Sequence, residues 1–344
     1  FRLAAEISEI LNHKSEKSRR KRMKIVVIQE NVKMPNLTSG EVTAHWEKLK
    51  DIPGAELAIK QPEGYPGAEE LHSLVGDADA VFGIWISDSV INEEWLSQHP
   101  NLKYIATLGH GWGEFDVEMT RRRGLTITNT VYGAQTIAEY GWALLMEVCH
   151  HVSVHSDLIK KTDWEAANKD KNFKPMSVFD KVLCPQIELY GKTCGIFGLG
   201  SIGLAFAKMA SGFGMRVISY SRHRKTGAIY DFVEQVDFDT LLKESDVISI
   251  HAPFTADTAD TFNKAAFSKM KDGVILINTA RGGLIVEEDL LAALESGKVY
   301  GAGLDVLREE PPKHDNPLFH SGKTVITGHI AWLTKESRLR AVDM

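Results

Sequence analysis

Long apolar runs, cysteine and an excess of positive charge are all scarce in this chain, and each shortage excludes something. No stretch of about eighteen apolar residues occurs along the 344 residues, so no membrane partner is expected. The opening residues lack the charged-then-apolar layout of a secretory signal. Three cysteines, Cys149, Cys184 and Cys194, are too few and too scattered for a disulfide framework or a zinc ribbon; reduced thiols in a cytoplasmic protein are the expectation. A net charge of −6 argues against nucleic acid as a partner. His151 and His155 fall at i, i+4 on a helical pattern, but no third ligand accompanies them, so no metal is expected.

What is present is the balance of a soluble globular protein, 43% hydrophobic and 25% charged, in a chain long enough for two domains. Residues 1–22, with the polar and basic run KSEKSRRKR, are expected to be a disordered extension, and "MKIVVI" from Met23 opens like a first strand. From there, short apolar runs alternate with amphipathic stretches: "KIVVI", "AELAI", "ADAVFGIW" and "LKYIATLG". That β–α rhythm predicts a parallel sheet flanked by helices, with no glycine-rich phosphate loop in this part. A single long helix is expected from about Ala134 to Lys160, followed by an irregular segment to Ile187. A second β–α series runs through "KTCGIFGLG", "RVISYS", "DVISIHAP", "GVILINTA", "VYGAGLDV" and "KTVITGHIAW", about the six strands a doubly wound nucleotide domain needs. The fold class is therefore α/β, with a substrate domain at 23–130, a return to it at 329–344, and a Rossmann-type domain at 131–328.

Gly198, Gly200 and Gly203 form G-x-G-x-x-G. Alone that motif is weak, but here an apolar strand feeds it and an amphipathic helix leaves it. Gly198 suits a tight turn, Gly200 a close approach of pyrophosphate, and Gly203 helix–sheet packing, with amides near Ser201 and Ile202 aimed at phosphates. After the next strand an NAD-selective site usually offers an acid to the ribose. Here Ser221 stands there, followed by Arg222, His223, Arg224 and Lys225, so no carboxylate is expected to repel a 2′-phosphate. NADP is favoured over NAD on that ground.

Three residues fall at predicted strand ends, where open α/β sheets place their ligands. Arg281 follows "ILINTA", Glu310 follows "GLDVLRE" and His329 follows "VITG". A guanidinium can hold an oxo acid's carboxylate with two parallel donors. An imidazole can match hydride transfer with a proton, and a carboxylate bonded to it fixes the ring.

Taken together, "IELYGKTCGIFGLGSIG", "ESDVISIHAPFT", "ILINTARGGLIVEEDL", "GAGLDVLREEPP" and "HIAW" make the chain resemble the D-isomer-specific 2-hydroxyacid dehydrogenase family. The resemblance is nearest to its glycerate dehydrogenase (hydroxypyruvate reductase) branch. It implies a flavodoxin-like substrate domain, a homodimer, and a small 2-oxo or 2-hydroxy acid substrate of D configuration, such as glyoxylate, hydroxypyruvate or D-glycerate. It assigns substrate binding to Arg281, acid tuning to Glu310 and acid/base work to His329. In "ATLGHGWGEFD" it implies that amides near Leu108, Gly109 and His110 hold the substrate carboxylate. It places Thr136, Pro253 and Thr258, Thr279 and Ala280 against the cofactor, and Asp305 on the nicotinamide carboxamide. His251 is expected to line the cofactor cleft, and Trp332, three residues past His329, to lie near the substrate.

The chain departs from the family at Gly328, where proline is usual before the histidine, which suggests a looser loop there. Gly113 replaces an Asp or Asn, and the chain stops at Met344 before the usual helical tail. Other readings fit parts of the pattern: a dinucleotide-sensing corepressor on the same fold, or a phosphoglycerate dehydrogenase. A formate dehydrogenase would carry Gln in place of Glu310.

Overall fold

The computed structural model describes residues 22–29, 33–64, 66–83, 91–109, 116–163, 165, 169 and 182–344. His110, Trp112, Gly113, Trp164 and most of the expected N-terminal extension lie outside the described residues. The chain divides into two compact units. One comprises residues up to Gly133 with Leu333–Met344, and the other Ala134–Trp332. The division falls a few residues later than the sequence boundaries at 130 and 328, so His329 to Trp332 belong to the second unit.

The first unit is a parallel sheet of β1 (Met23–Ile28), β2 (Ala55–Lys60), β3 (Ala80–Gly83), β4 (Tyr104–Thr107) and β5 (Thr126–Thr128). Their order is β2-β1-β3-β4-β5, the flavodoxin-like arrangement. The intervening helices are α1 (Ser39–Trp46), α2 (Ala68–Val75), α3 (Glu93–Ser97) and α4 (Val117–Arg123). Val26, Ile28, Val81 and Ile105 pack with Leu71, Trp95 and Met119 into a core on one face of that sheet. β5 is missing from the sequence reading because three half-buried residues, Thr-Ile-Thr, carry too little apolar pattern to register as a strand.

The second unit opens with α5 (Ala134–His150) and α6 (Val152–Lys161). One continuous helix was expected here. The helix instead breaks at His151, whose φ of +48° is left-handed and cannot continue the ladder. The break also settles the fate of the i, i+4 histidine pair. His151 Nε2 lies 3.1 Å from the Tyr300 hydroxyl, while His155 bonds the His151 carbonyl (2.9 Å) and accepts from the Leu183 amide (3.1 Å). Among the described residues no group of three or more candidate metal ligands exists, and no helix is long and apolar enough to cross a membrane.

The second sheet comprises β6 (Thr193–Phe197), β7 (Arg216–Tyr220), β8 (Glu234–Gln235), β9 (Val247–Ile250), β10 (Val274–Asn278), β11 (Val299–Leu304) and β12 (Thr324–Ile326). Helices α7 (Ser201–Gly212), α8 (Phe238–Glu244), α9 (Lys264–Lys269) and α10 (Glu287–Glu295) connect them, and α11 (Lys335–Asp343) returns to the first unit. All pairings are parallel, in the order β12-β11-β10-β9-β6-β7-β8. The sequence showed six of these seven strands, because two-residue β8 pairs only at the sheet edge. Both faces are covered, which is why the strands read as near-continuous apolar runs. Cys194 and Ile196 point into a cluster with Leu145 and Phe206, while Phe197 points into the opposite one with Ile218 and Phe262. Burial pushes the Cys149 and Cys194 thiols up to about 12, so both act as small core hydrophobes.

Candidate active site

The glycine turn continues directly from β6, which is buried along its whole length. Gly198 sits at φ +98°, and a Cβ there would lie 2.6 Å from the Ala252 nitrogen. At Gly203 a Cβ would overlap the Gly198 carbonyl, so packing itself demands glycine at both positions. Gly200 is different. It is exposed, and a Cβ there would meet no protein atom within 4 Å. It caps α7 without any side-chain hydrogen bond, and no acidic residue occupies the first turn at Ser201, Ile202 and Gly203. Unsatisfied amides, the positive end of a helix and open space above a glycine are what a dinucleotide pyrophosphate requires.

Around that turn the structure assigns tasks the sequence did not show. The Ser221 hydroxyl, expected to face the cofactor, accepts from the Leu199 amide (2.8 Å) and braces the glycine turn. Arg222 pairs with Asp257 at 3.2 Å. The expectation that no carboxylate stands at this corner is therefore corrected: one arrives from the loop after β9, 35 residues downstream. Thr258 builds that loop, accepting from the Thr255 amide (2.8 Å) and donating to the Pro253 carbonyl (2.7 Å). His251 follows β9 with Nε2 against the Ser249 hydroxyl at 2.8 Å, while its Nδ1 is enclosed without a partner. Burial pushes this imidazole down to about 3, which makes it neutral and unfit for acid catalysis near pH 7. Thr136 on α5 and Thr279 after β10 are both buried, and the Thr279 hydroxyl also lacks a partner.

At the ends of β10, β11 and β12 the three expected catalytic residues are positioned by separate devices. His329 Nδ1 lies 2.6 Å from Glu310 Oε2, and both side chains keep over a third of their surface exposed. The other Glu310 oxygen accepts from the Leu307 amide (3.0 Å), so the carboxylate folds back on its own loop. Arg281 is exposed, with Nη1 donating to the Ala280 carbonyl (2.7 Å). Its turn is braced by buried Asn278, whose amide donates to the Arg281 carbonyl (2.9 Å) and accepts from the Ala280 nitrogen (2.9 Å). A Cβ at Gly282 would overlap the Leu307 carbonyl. That close approach locks the arginine turn against the loop carrying Glu310.

The His329 loop is held by Asp305, which is only 1% exposed. Its Oδ1 accepts from the Thr327 hydroxyl (2.6 Å) and the Ile330 amide (3.0 Å), and its Oδ2 from the Ala331 amide (2.8 Å). The Asp305 carbonyl accepts from the His329 amide (2.7 Å). Asp305 was expected on a nicotinamide carboxamide; its carboxylate instead turns inward to the loop, with almost no surface to offer a ligand. His329 adopts φ +57°, a conformation that costs a non-glycine residue about 1–3 kcal/mol and persists only where the surroundings enforce it. Trp332 adds to the enforcement, its indole N–H donating to the His329 carbonyl (3.0 Å). The loop that Gly328 suggested would be loose is thus fixed by other means.

In the first unit, Leu108 and Gly109 follow β4, with Leu108 buried and the Gly109 carbonyl accepting from the Thr130 amide (3.4 Å). Asn278, Gly282, Thr327 and Asp257 are the residues that sequence reasoning missed. Only Asn278 left a trace, as the polar end of the apolar run "VILIN".

The profile described as "D-isomer specific 2-hydroxyacid dehydrogenase, NAD binding domain" matches residues 142–331. A hydroxypyruvate reductase of Blautia hydrogenotrophica is 37% identical over 323 residues, 94% of each chain. The chain belongs to the D-isomer specific 2-hydroxyacid dehydrogenases. Solved relatives of this dehydrogenase include a glyoxylate reductase from Paecilomyes thermophila, with a TM-score of 0.74 at 27% identity over 94% of this chain and 92% of the other. An acyclic imino acid reductase in complex with NADPH and D-Arg superposes with a TM-score of 0.73 at 28% identity, over 93% and 94% of the two chains. The protein is therefore an oxidoreductase of the D-2-hydroxyacid dehydrogenase type, with a nicotinamide dinucleotide as cofactor.

Proposed function

We propose that this dehydrogenase interconverts glyoxylate or hydroxypyruvate with the corresponding 2-hydroxy acid, D-glycerate in the second case, and prefers NADP to NAD. The observation that carries the reading is the 2.6 Å pairing of Glu310 with the His329 imidazole at the open ends of the second sheet. With Nδ1–H donated to the carboxylate, Nε2 is the nitrogen that exchanges a proton with the substrate oxygen. Arg281 holds the substrate carboxylate and polarises the carbonyl through its parallel donors. In the first unit, amides of Leu108 and Gly109, with His110, are the proposed carboxylate hooks.

When bound, the nicotinamide supplies or accepts the hydride at the substrate carbon. Gly198, Gly200 and Gly203 with the amides of Ser201 and Ile202 are proposed to hold its pyrophosphate. Pro253 and Thr258 would flank the adenosine, and Thr136, His251, Thr279 and Ala280 the remainder. Asp305 and Trp332 set the position of His329.

The NADP preference rests on the cations Arg222, Arg224 and Lys225 and finds support in the NADPH complex of the imino acid reductase. We also propose a homodimer, supported by α6, which buries none of its side chains although Val152 and Ile159 are apolar and exposed. A cytoplasmic site is supported by three free thiols.

Purified protein with NADPH and hydroxypyruvate or glyoxylate should consume the reduced-nicotinamide absorbance. No turnover with any small 2-oxo acid and either cofactor would overturn the reading. A tenfold advantage for NADH would overturn the cofactor preference alone.

A further inference from the structure

The ion pair of Arg222 with Asp257 sits at a distinctive place in the sheet. Arg222 follows β7 and Asp257 lies in the loop after β9, and the order β9-β6-β7 puts β6 between them. The glycine turn grows out of β6, so the pair joins the two loops that flank the turn. Both loops are anchored. The Asp257 loop is closed by the Thr258 hydroxyl on Thr255 and Pro253, at 2.8 and 2.7 Å. The Arg222 loop is tied to β8, where Gln235 accepts from the Lys225 amide (2.7 Å) and donates to the Lys225 carbonyl (2.8 Å). Between these anchors the two charges meet at 3.2 Å with side chains 70% and 77% exposed.

Such a pair is cheap to open, because water screens both charges. We propose that Asp257 is a specificity-determining competitor for Arg222, occupying the guanidinium that a cofactor's 2′-phosphate would otherwise claim. The inference rests on the reading that Arg222 receives that phosphate. Binding NADPH then exchanges one anion for another at Arg222 and leaves Asp257 beside a phosphate, whereas binding NADH leaves the ion pair in place. Asp257 thereby narrows the gap between the two cofactors by weakening NADPH alone.

The test measures NADPH and NADH dissociation constants by calorimetry on the wild type, Asp257→Asn, Arg222→Ala and the double variant. Asp257→Asn is expected to tighten NADPH by about two- to fivefold, the worth of an exposed ion pair, and to leave NADH within twofold. In the Arg222→Ala background the same substitution should do nothing for NADPH, since the contested group is gone. If Arg222→Ala weakens NADPH but Asp257→Asn fails to tighten it, the competition is refuted and the phosphate reading stands. If Arg222→Ala leaves NADPH unchanged, the phosphate reading falls and the inference falls with it. Weaker NADH binding by Asp257→Asn, with NADPH unmoved, would make Asp257 a ribose ligand and overturn the proposal.

Discussion

The two sheets begin alike and then treat their first helix in opposite ways. In the first unit α1 is closed by its own residues. The Thr38 hydroxyl accepts from the Glu41 amide, and the Glu41 carboxylate accepts from the Thr38 amide, a complete capping box. Lys335, together with those bonds to Thr38, pulls the Glu41 carboxyl down to about 2, so a fixed negative charge sits at that helix start. Gln29, buried after β1, donates to the Ser39 carbonyl (3.1 Å) and accepts from the Thr43 hydroxyl (3.1 Å). In the second unit α7 starts at Gly200 with no side-chain cap and no acid. The same strand–turn–helix step is thus filled from within in one sheet and left open in the other. Parallel topology does not create a dinucleotide site; a helix start deprived of its own caps does.

The comparison breaks first if the chemistry does not live at the strand ends of the second sheet. His329→Ala should lower kcat by about 10²- to 10⁴-fold with cofactor affinity unchanged. Near-normal turnover, measured by steady-state kinetics, would remove His329 from the mechanism and return the question to the first unit.

A sharper test gives α7 the closed start of α1. Gly200→Asp supplies a cap and a negative charge where a pyrophosphate is proposed, so cofactor affinity should fall by about 10- to 100-fold while Tm holds or rises slightly. Gly203→Ala should behave differently, because its Cβ overlaps the Gly198 carbonyl. Overpacking of about 1–3 kcal/mol should lower Tm by several degrees as well as weaken binding. Calorimetric affinity and thermal melts separate the two, and identical behaviour would contradict the distinction between ligand space and packing.

The smallest effect concerns the histidine that each unit encloses. Burial holds His251 at about 3, against the ordinary imidazole value of 6.5, and burial likewise lowers His99, opposed by its bond to the Gly76 carbonyl. In both cases the unfolded chain binds a proton that the fold refuses. The stability they contribute is complete above about pH 6.5 and declines as pH falls through the window below it, which for His251 reaches down to about 3. His251→Gln should therefore flatten the drop in Tm between about pH 7 and pH 5 more than His99→Gln does. Equal slopes for His251→Gln and wild type would show that His251 is not the enclosed group described above.

Much of this was legible in sequence because the signals are local. Gly198 to Gly203 announces its turn through a strand on one side and a helix on the other, all between Thr193 and Gly212. Arg281, Glu310 and His329 each close a recognisable apolar run. The misses have equally physical causes. β5 and β8 are too short to carry a period, and the kink at His151 is a single backbone conformation inside an uninterrupted helical pattern. Asp305 was placed on the nicotinamide by resemblance alone, and nothing in its own neighbourhood reveals that residues 327–331 come back to occupy it.

By itself, then, the sequence determined the alternation of strand and helix, the glycine turn and the identity of the reacting side chains. Each depends on spacing along the chain or on the chemistry of a side-chain type. Tertiary structure alone decided which of those side chains are held, and by what. Strand order set Asp257 against Arg222, folded Leu307 onto Gly282, and wrapped the His329 loop around Asp305. These partners are separated by 35, 25 and about 22–26 residues, and they meet because parallel strands bring their ends to one edge whatever their distance in sequence.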